Sequence, residues 1–127
     1  MISVDHYKKT VITIQQLFLT EFKKEDDKAN LDRVGRWIRL STAELLFERT
    51  KQILIFKDAI EQKNLKFFEE FKFNINPNNK DSVSALSIFK QFIAKFPTLP
   101  ENKQKIYWGH AQNLIDIIQQ IQAEKPS

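Results

Sequence analysis

Val4, Tyr7, Val11, Ile14, Phe18 and Phe22 succeed one another at intervals of three and four residues, with Asp5, Lys8, Lys9, Gln15, Gln16 and Lys23 between them. On a helix this spacing lays the apolar side chains in one stripe; on a strand, whose side chains alternate, it would scatter them over both faces. The same period returns in Leu45, Leu46, Ile53, Phe56 and Ile60, and again in Val83, Leu86, Phe89, Phe92, Ile93 and Phe96. It closes the chain in Ile106, Tyr107, Leu114, Ile117, Ile118 and Ile121. No strand-type alternation of useful length interrupts it, and no internal repeat is visible. The expectation is an all-α fold.

Capping residues and breakers divide the pattern. Ser3 is a plausible N-cap for a first helix reaching Lys24, and the charged run from Glu25 to Ala29 reads as a connector. Asn30 or Asp32 can cap a short helix carrying Val34, Trp37 and Ile38. Ser41 and Glu44 have the spacing of a capping box, so a new helix is expected from Ser41 to about Gln62, one continuous helix through Ser41 being the alternative. Asn64 should break it. A short helix with Leu65, Phe67, Phe68 and Phe71 follows, then an Asn-rich loop from Phe73 to Lys80 around Pro77. Asp81 or Ser82 should cap the next helix, and Pro97 should stop it. Thr98 and Glu101 repeat the capping-box spacing before a last helix, roughly Leu99 to Gln122, with Ala123 to Ser127 expected to fray. Four main helices and one or two short ones, joined by short loops, predict an antiparallel bundle in a single domain over residues 1–127.

Composition supports one core of ordinary size. With 42% hydrophobic residues and eleven Phe, the 127-residue chain can bury enough surface without staples, and it has no cysteine to make any. Disulfides and thiolate metal ligands are excluded, and a reducing interior, cytoplasmic or nuclear, is the default expectation. The polar Met1 to Thr10 segment does not read as a signal peptide, and no stretch is apolar enough to span a membrane. Net charge is +4, without a strongly basic block.

Catalytic chemistry finds little to work with. His6 and His110 lack the companions of a metal site, and no Glu-x-x-His pattern is present. There is no nucleophile elbow and no glycine-rich phosphate cradle, since the only glycines are Gly35 and Gly109. Gly109, inside the last helix, suggests a close helix approach or room for a neighbour's indole. Glu25, Asp26 and Asp27 lie in the connector, and the adjacent Glu69 and Glu70 point apart. No catalytic, cofactor or metal residue is expected, and the chain does not read as an enzyme.

Two features point outward. Arg33, Arg36 and Arg39 recur every third residue, which reads as one solvent-facing arc opposite Val34, Trp37 and Ile38. Guanidinium groups suit bidentate recognition of carboxylate or phosphate. The partner is then an acidic protein surface or, with Lys23, Lys24 and Lys28 added, a nucleic-acid backbone; the plainer alternative is a solvated face paired with Asp32 and the Glu25–Asp27 cluster. The second feature is the run Phe67, Phe68, Phe71 and Phe73, too dense for one helix face to hide. Either a neighbouring element covers it, or its remainder, with Trp37, forms an apolar protein interface.

Residues 45–118 also carry a pattern of caps and core positions: Asn64 to Phe71 after a long helix, Ile88, Phe89 and Phe92 after a loop, and Leu99 to Lys103 leading into Ile106 to Trp108 and Gln112 to Leu114. This pattern resembles small helical proteins of large nucleocytoplasmic DNA viruses. The resemblance implies a viral accessory or virion-associated role, with incorporation in a virus particle, and names no activity. Together these observations lead to the expectation of a non-catalytic module working through a protein partner or self-association, with a nucleic-acid-associated module as the alternative.

Overall fold

In the computed structural model, which describes residues 3–22 and 28–124, helix accounts for nearly all regular structure and the described residues contain no strand. The helices are α1 (Val4–Leu19), α2 (Lys28–Leu40), α3 (Ala43–Thr50), α4 (Lys57–Glu61), α5 (Leu65–Glu70), α6 (Lys80–Lys95) and α7 (Glu101–Glu124). Lys51–Phe56 and Phe96–Thr98 coil more tightly, as 3-10 helix. Among the described residues no helix is long and apolar enough to cross a membrane.

Helix α1 is the hub, packed against α2, α3 and α7, while α2 lies along α6 and α5 closes over α6. Its polarity opposes that of α2 and α7. Lys8, near its start, donates to the carbonyls of Arg39 and Ser41 at 3.0 and 2.7 Å, satisfying acceptors that the end of α2 leaves without helical partners. Tyr107, in the first half of α7, donates to the carbonyl of Leu17 at the far end of α1. Gly35 sits where α1 and α2 approach: an added Cβ would lie 3.0 Å from Gln15 Nε2 and 3.2 Å from Arg39 Nη1. At Gly109, by contrast, a Cβ would meet nothing within 4 Å. The close approach expected at Gly109 is therefore found at Gly35 instead.

The core has two clusters. In one, Tyr7, Ile38, Leu46, Phe47, Ile117, Ile118 and Ile121 join α1, α2, α3 and the second half of α7. Tyr7 is 0% exposed and its hydroxyl donates to Thr50 Oγ1, which itself donates to the Leu46 carbonyl. The other cluster is aromatic. Phe18 stacks on Phe92 with ring centroids 4.1 Å apart, and Tyr107 meets Phe92 edge-on at 4.8 Å. Phe56 touches Phe67, Phe68, Phe71 and Phe73, so the dense phenylalanine run packs largely on itself.

Several boundaries differ from the sequence reading. The first helix ends at Leu19 rather than Lys24; Thr20 bonds back to Leu17, and Phe22 turns into the core beneath the Lys95 ammonium. Helix α2 starts before Asn30 and Asp32, so neither is its cap; Asn30 Oδ1 accepts from the buried Ser84 hydroxyl of α6 at 3.0 Å. The break near Ser41 is present, but the cap is Thr42, which accepts from the Leu45 N–H, while Ser41 Oγ bonds back to the Trp37 carbonyl. The helix expected to reach Gln62 is interrupted by the 3-10 turn. With three residues per turn, Ile53 and Phe56 eclipse each other on one side, and this seats Phe56 among the other rings.

Helix α4 stops in a Schellman motif: Lys63 takes a left-handed φ of 53°, and the N–H groups of Lys63 and Asn64 reach the carbonyls of Ile60 and Ala59. Asn64 then caps α5. Asn79, not Asp81 or Ser82, caps α6 by accepting from the Ser82 N–H. Thr98 does not cap α7; its hydroxyl donates to Lys95, and Gln104 Nε2 secures the carbonyls of Phe96 and Leu99. Ala123 remains helical, since α7 runs to Glu124.

Candidate functional site

Ser41 and Thr42 join α2 to α3 in a sharp turn, and Leu40 at the end of α2 and Leu45 in α3 both face water while Ala43 between them is buried. Leu40 is 78% exposed and Leu45 41%. Beside them lie Trp37, half-buried against the first core cluster, and the guanidinium groups of Arg33, Arg36 and Arg49. These residues, with Ser41 and Asp81, line an open cleft of about 280 Å³. No carboxylate among the described residues forms an ion pair with Arg33, Arg36 or Arg49.

The arginine arc is narrower than the sequence suggested. Residues three apart on a helix drift steadily around its axis, whereas those seven apart nearly realign. Arg33, Arg36, Trp37 and Leu40 therefore share one side, with the indole among the arginines rather than opposite them. Arg39 is carried round toward α1, where its guanidinium lies over Gly35. Its place in the cleft is taken by Arg49 of α3, the one arginine absent from the sequence stripe. Lys28 is exposed at the far end of α2, away from the cleft, and Lys23 and Lys24 lie outside the described residues, as do Glu25 to Asp27.

The aromatic run is placed elsewhere. Phe68 is buried, and Phe67, Phe71 and Phe73 are half-buried, around Phe56. The large apolar side chains that stand in water are aliphatic: Leu40 and Leu45 at the cleft, and Leu19, Ile55, Val83 and Ile106 elsewhere. The sequence signal for this was the S/T pair at 41–42 between Leu40 and Leu45, a short joint that leaves both leucines partly in water.

A polar cluster lies at the other end of α1. Glu21, its side chain 7% exposed, accepts from Lys103 Nζ at 3.1 Å and from the Tyr107 hydroxyl at 3.2 Å. Burial, and then the nearby Glu21 carboxylate, push the Tyr107 phenol up to about 12. Every group here has a partner, which marks a structural tie between α1 and α7. His6 is exposed and caps nothing with its ring; His110 is half-buried.

His110 does border a second feature. Between α1, the 3-10 turn, α6 and α7 lies a cavity of about 340 Å³, walled by Ile14, Phe18, Phe89, Phe92, Trp108 and Ala111 among others, and almost wholly apolar. Sequence periodicity marks these residues as core but carries no signal of the void.

Comparison of the chain with protein-family models, with curated proteins and with solved structures gave no match.

Proposed function

We propose that this chain is a non-catalytic docking module that receives an acidic, amphipathic segment of a partner protein in the cleft between α2 and α3. One observation carries the reading: Leu40, 78% exposed, stands with Leu45 and Trp37 among three arginines, none ion-paired to a described carboxylate and only Asp81 of opposite charge in the same lining. An apolar centre ringed by guanidinium groups suits a segment whose own apolar residues cover the leucines while its carboxylates pair with the arginines. Tryptophan and arginine are the residues that most often dominate binding energy at such contacts, and arginine can bind a carboxylate with two parallel hydrogen bonds. A phosphate backbone would use the arginines but gain nothing from the exposed leucines, so the nucleic-acid alternative explains less of the cleft. The resemblance of residues 45–118 to viral helical proteins directs the search for the partner to the components of a virus particle; a second copy of this chain is the other protein to try.

The test is affinity capture of the tagged protein and of its Arg33→Glu, Arg36→Glu, Arg49→Glu variant from the same lysate, each split into nuclease-treated and untreated halves. A protein held by the parent after nuclease treatment, and lost by the variant, is the expected result. Loss of all captured protein on nuclease treatment would overturn the reading in favour of nucleic acid, whose binding would also fall steeply with added salt.

A further inference from the structure

We propose that the apolar cavity between α1, α6 and α7 is a binding site for an uncharged hydrocarbon ligand, independent of the arginine cleft. Its volume of about 340 Å³ lies within the range of small-molecule sites, roughly 300–1,000 Å³. Water is a poor occupant. A buried water needs two to four polar partners, and the Tyr107 hydroxyl, one of the few polar groups at the wall, is already bonded to Leu17 and Glu21. His110 and Trp108 remain in the lining to orient a hydroxyl or carbonyl through a ring nitrogen.

The walls are also held apart. Phe92 meets Phe96 and Tyr107 edge-on, Phe96 meets Trp108, and Phe68 meets Phe89, so rings on α5, α6 and α7 brace one another. Flat side chains locked in such pairs cannot slide into the space as leucines would. An engineered apolar cavity of about 150 Å³ in another protein stays dry and takes up benzene; this one is more than twice as large. At roughly 30 Å³ per heavy atom, the share of a water molecule in the liquid, it holds about eleven atoms. The lining contains no lysine or arginine to pair with a carboxylate or phosphate, and an unpaired ion there would be strongly disfavoured.

The probe of choice is 1-decanol, followed by thermal melting and by amide chemical shifts of the intact chain. Binding should raise Tm by roughly 5 °C at about ten times Kd, and should shift the amides of Phe89, Phe92, Trp108 and Ala111 saturably. Ala111→Phe from α7 and Ile14→Phe from α1 fill the space from opposite walls; whichever folds, by circular dichroism, should lose those shifts. The Arg36→Glu protein should bind the probe like the parent, which separates this site from the docking cleft. An unchanged Tm with no saturable shift in the parent would overturn the proposal. So would shifts confined to the Trp37–Leu45 corner, or undiminished binding by a folded, filled variant.

Discussion

Around Phe56, four other phenylalanines crowd edge to face and hide much of one another, whereas around Trp37 two leucines stay in water among three arginines. Both regions are rich in the side chains that make cores, and what separates them is the chain on either side. The aromatic end has α5 and the segment that follows it to fold back over the rings. The arginine corner has only a two-residue joint, too short to bring any cover. Exposure of large apolar side chains therefore follows from connection length as much as from composition. The aromatic end packs on itself around an apolar cavity, while the corner is solid beneath and open above.

Truncation should separate the two regions most sharply. Phe68→Ala, which removes a buried ring touching Phe56, Phe67, Phe89 and Trp108, is expected to cost about 3–5 kcal/mol in denaturant unfolding. Leu40→Ala should change stability by no more than about 0.5 kcal/mol, as surface substitutions do. Equal losses would erase the distinction.

Enlargement gives the next largest contrast. Ile118→Phe, at a 0% exposed position in the dense cluster, should destabilise by about 1–3 kcal/mol through overpacking. Ala111→Leu, which adds three carbons to the wall of the cavity, should instead stabilise by about 0.5–2 kcal/mol. Destabilisation by both, measured by chemical denaturation, would mean that the aromatic end is already full.

Backbone positions should give smaller gains. Gly109→Ala adds a methyl group to open space in the middle of α7 and should raise stability by about 1 kcal/mol, the usual penalty of a helical glycine. Lys63→Gly should gain about 0.5–1 kcal/mol by relieving the left-handed conformation in the Schellman turn.

Alkaline titration compares the two tyrosines of the core. Burial raises the pKa of both Tyr7 and Tyr107, the latter to about 12 from the usual 10.0. Each phenol binds its proton more tightly in the folded state, so this contribution to stability is complete below pH 10 and is lost for Tyr107 as pH rises from 10 toward 12. Stability should fall with pH across that window, and Tyr107→Phe should flatten the decline. An unaltered slope in the variant would remove Tyr107 as its source.

Much of the architecture was legible because helix period and caps are local. The stripe from Val4 to Phe18, the Ser3 cap and the breaks near Ser41, Asn64 and Pro97 follow from neighbours a few residues apart. What escaped was set over longer range. The spacing of Ile53, Phe56 and Ile60 suits a 3-10 turn as well as an α-helix, so the interruption of the third expected helix left no mark in the pattern. At Ser41 and Thr42 either hydroxyl is placed to cap, and the tie of Ser41 to Trp37 decides between them. Arg49 joins Arg33 and Arg36 only because the chain turns between α2 and α3. The cavity is a property of how rings on several helices meet, which no single helix pattern encodes.

The central claim is that the arginine corner is open because a partner covers it. Leu40→Asp tests this most directly, with capture of the partner measured per unit of folded protein. We expect the variant to melt with the parent and to lose the nuclease-resistant protein partner, because the aspartate removes the apolar surface that the partner's own apolar residues cover and competes with its carboxylates for the neighbouring arginines. Retention of the partner at the parental level by a folded Leu40→Asp protein would contradict the account and place the interaction on another face.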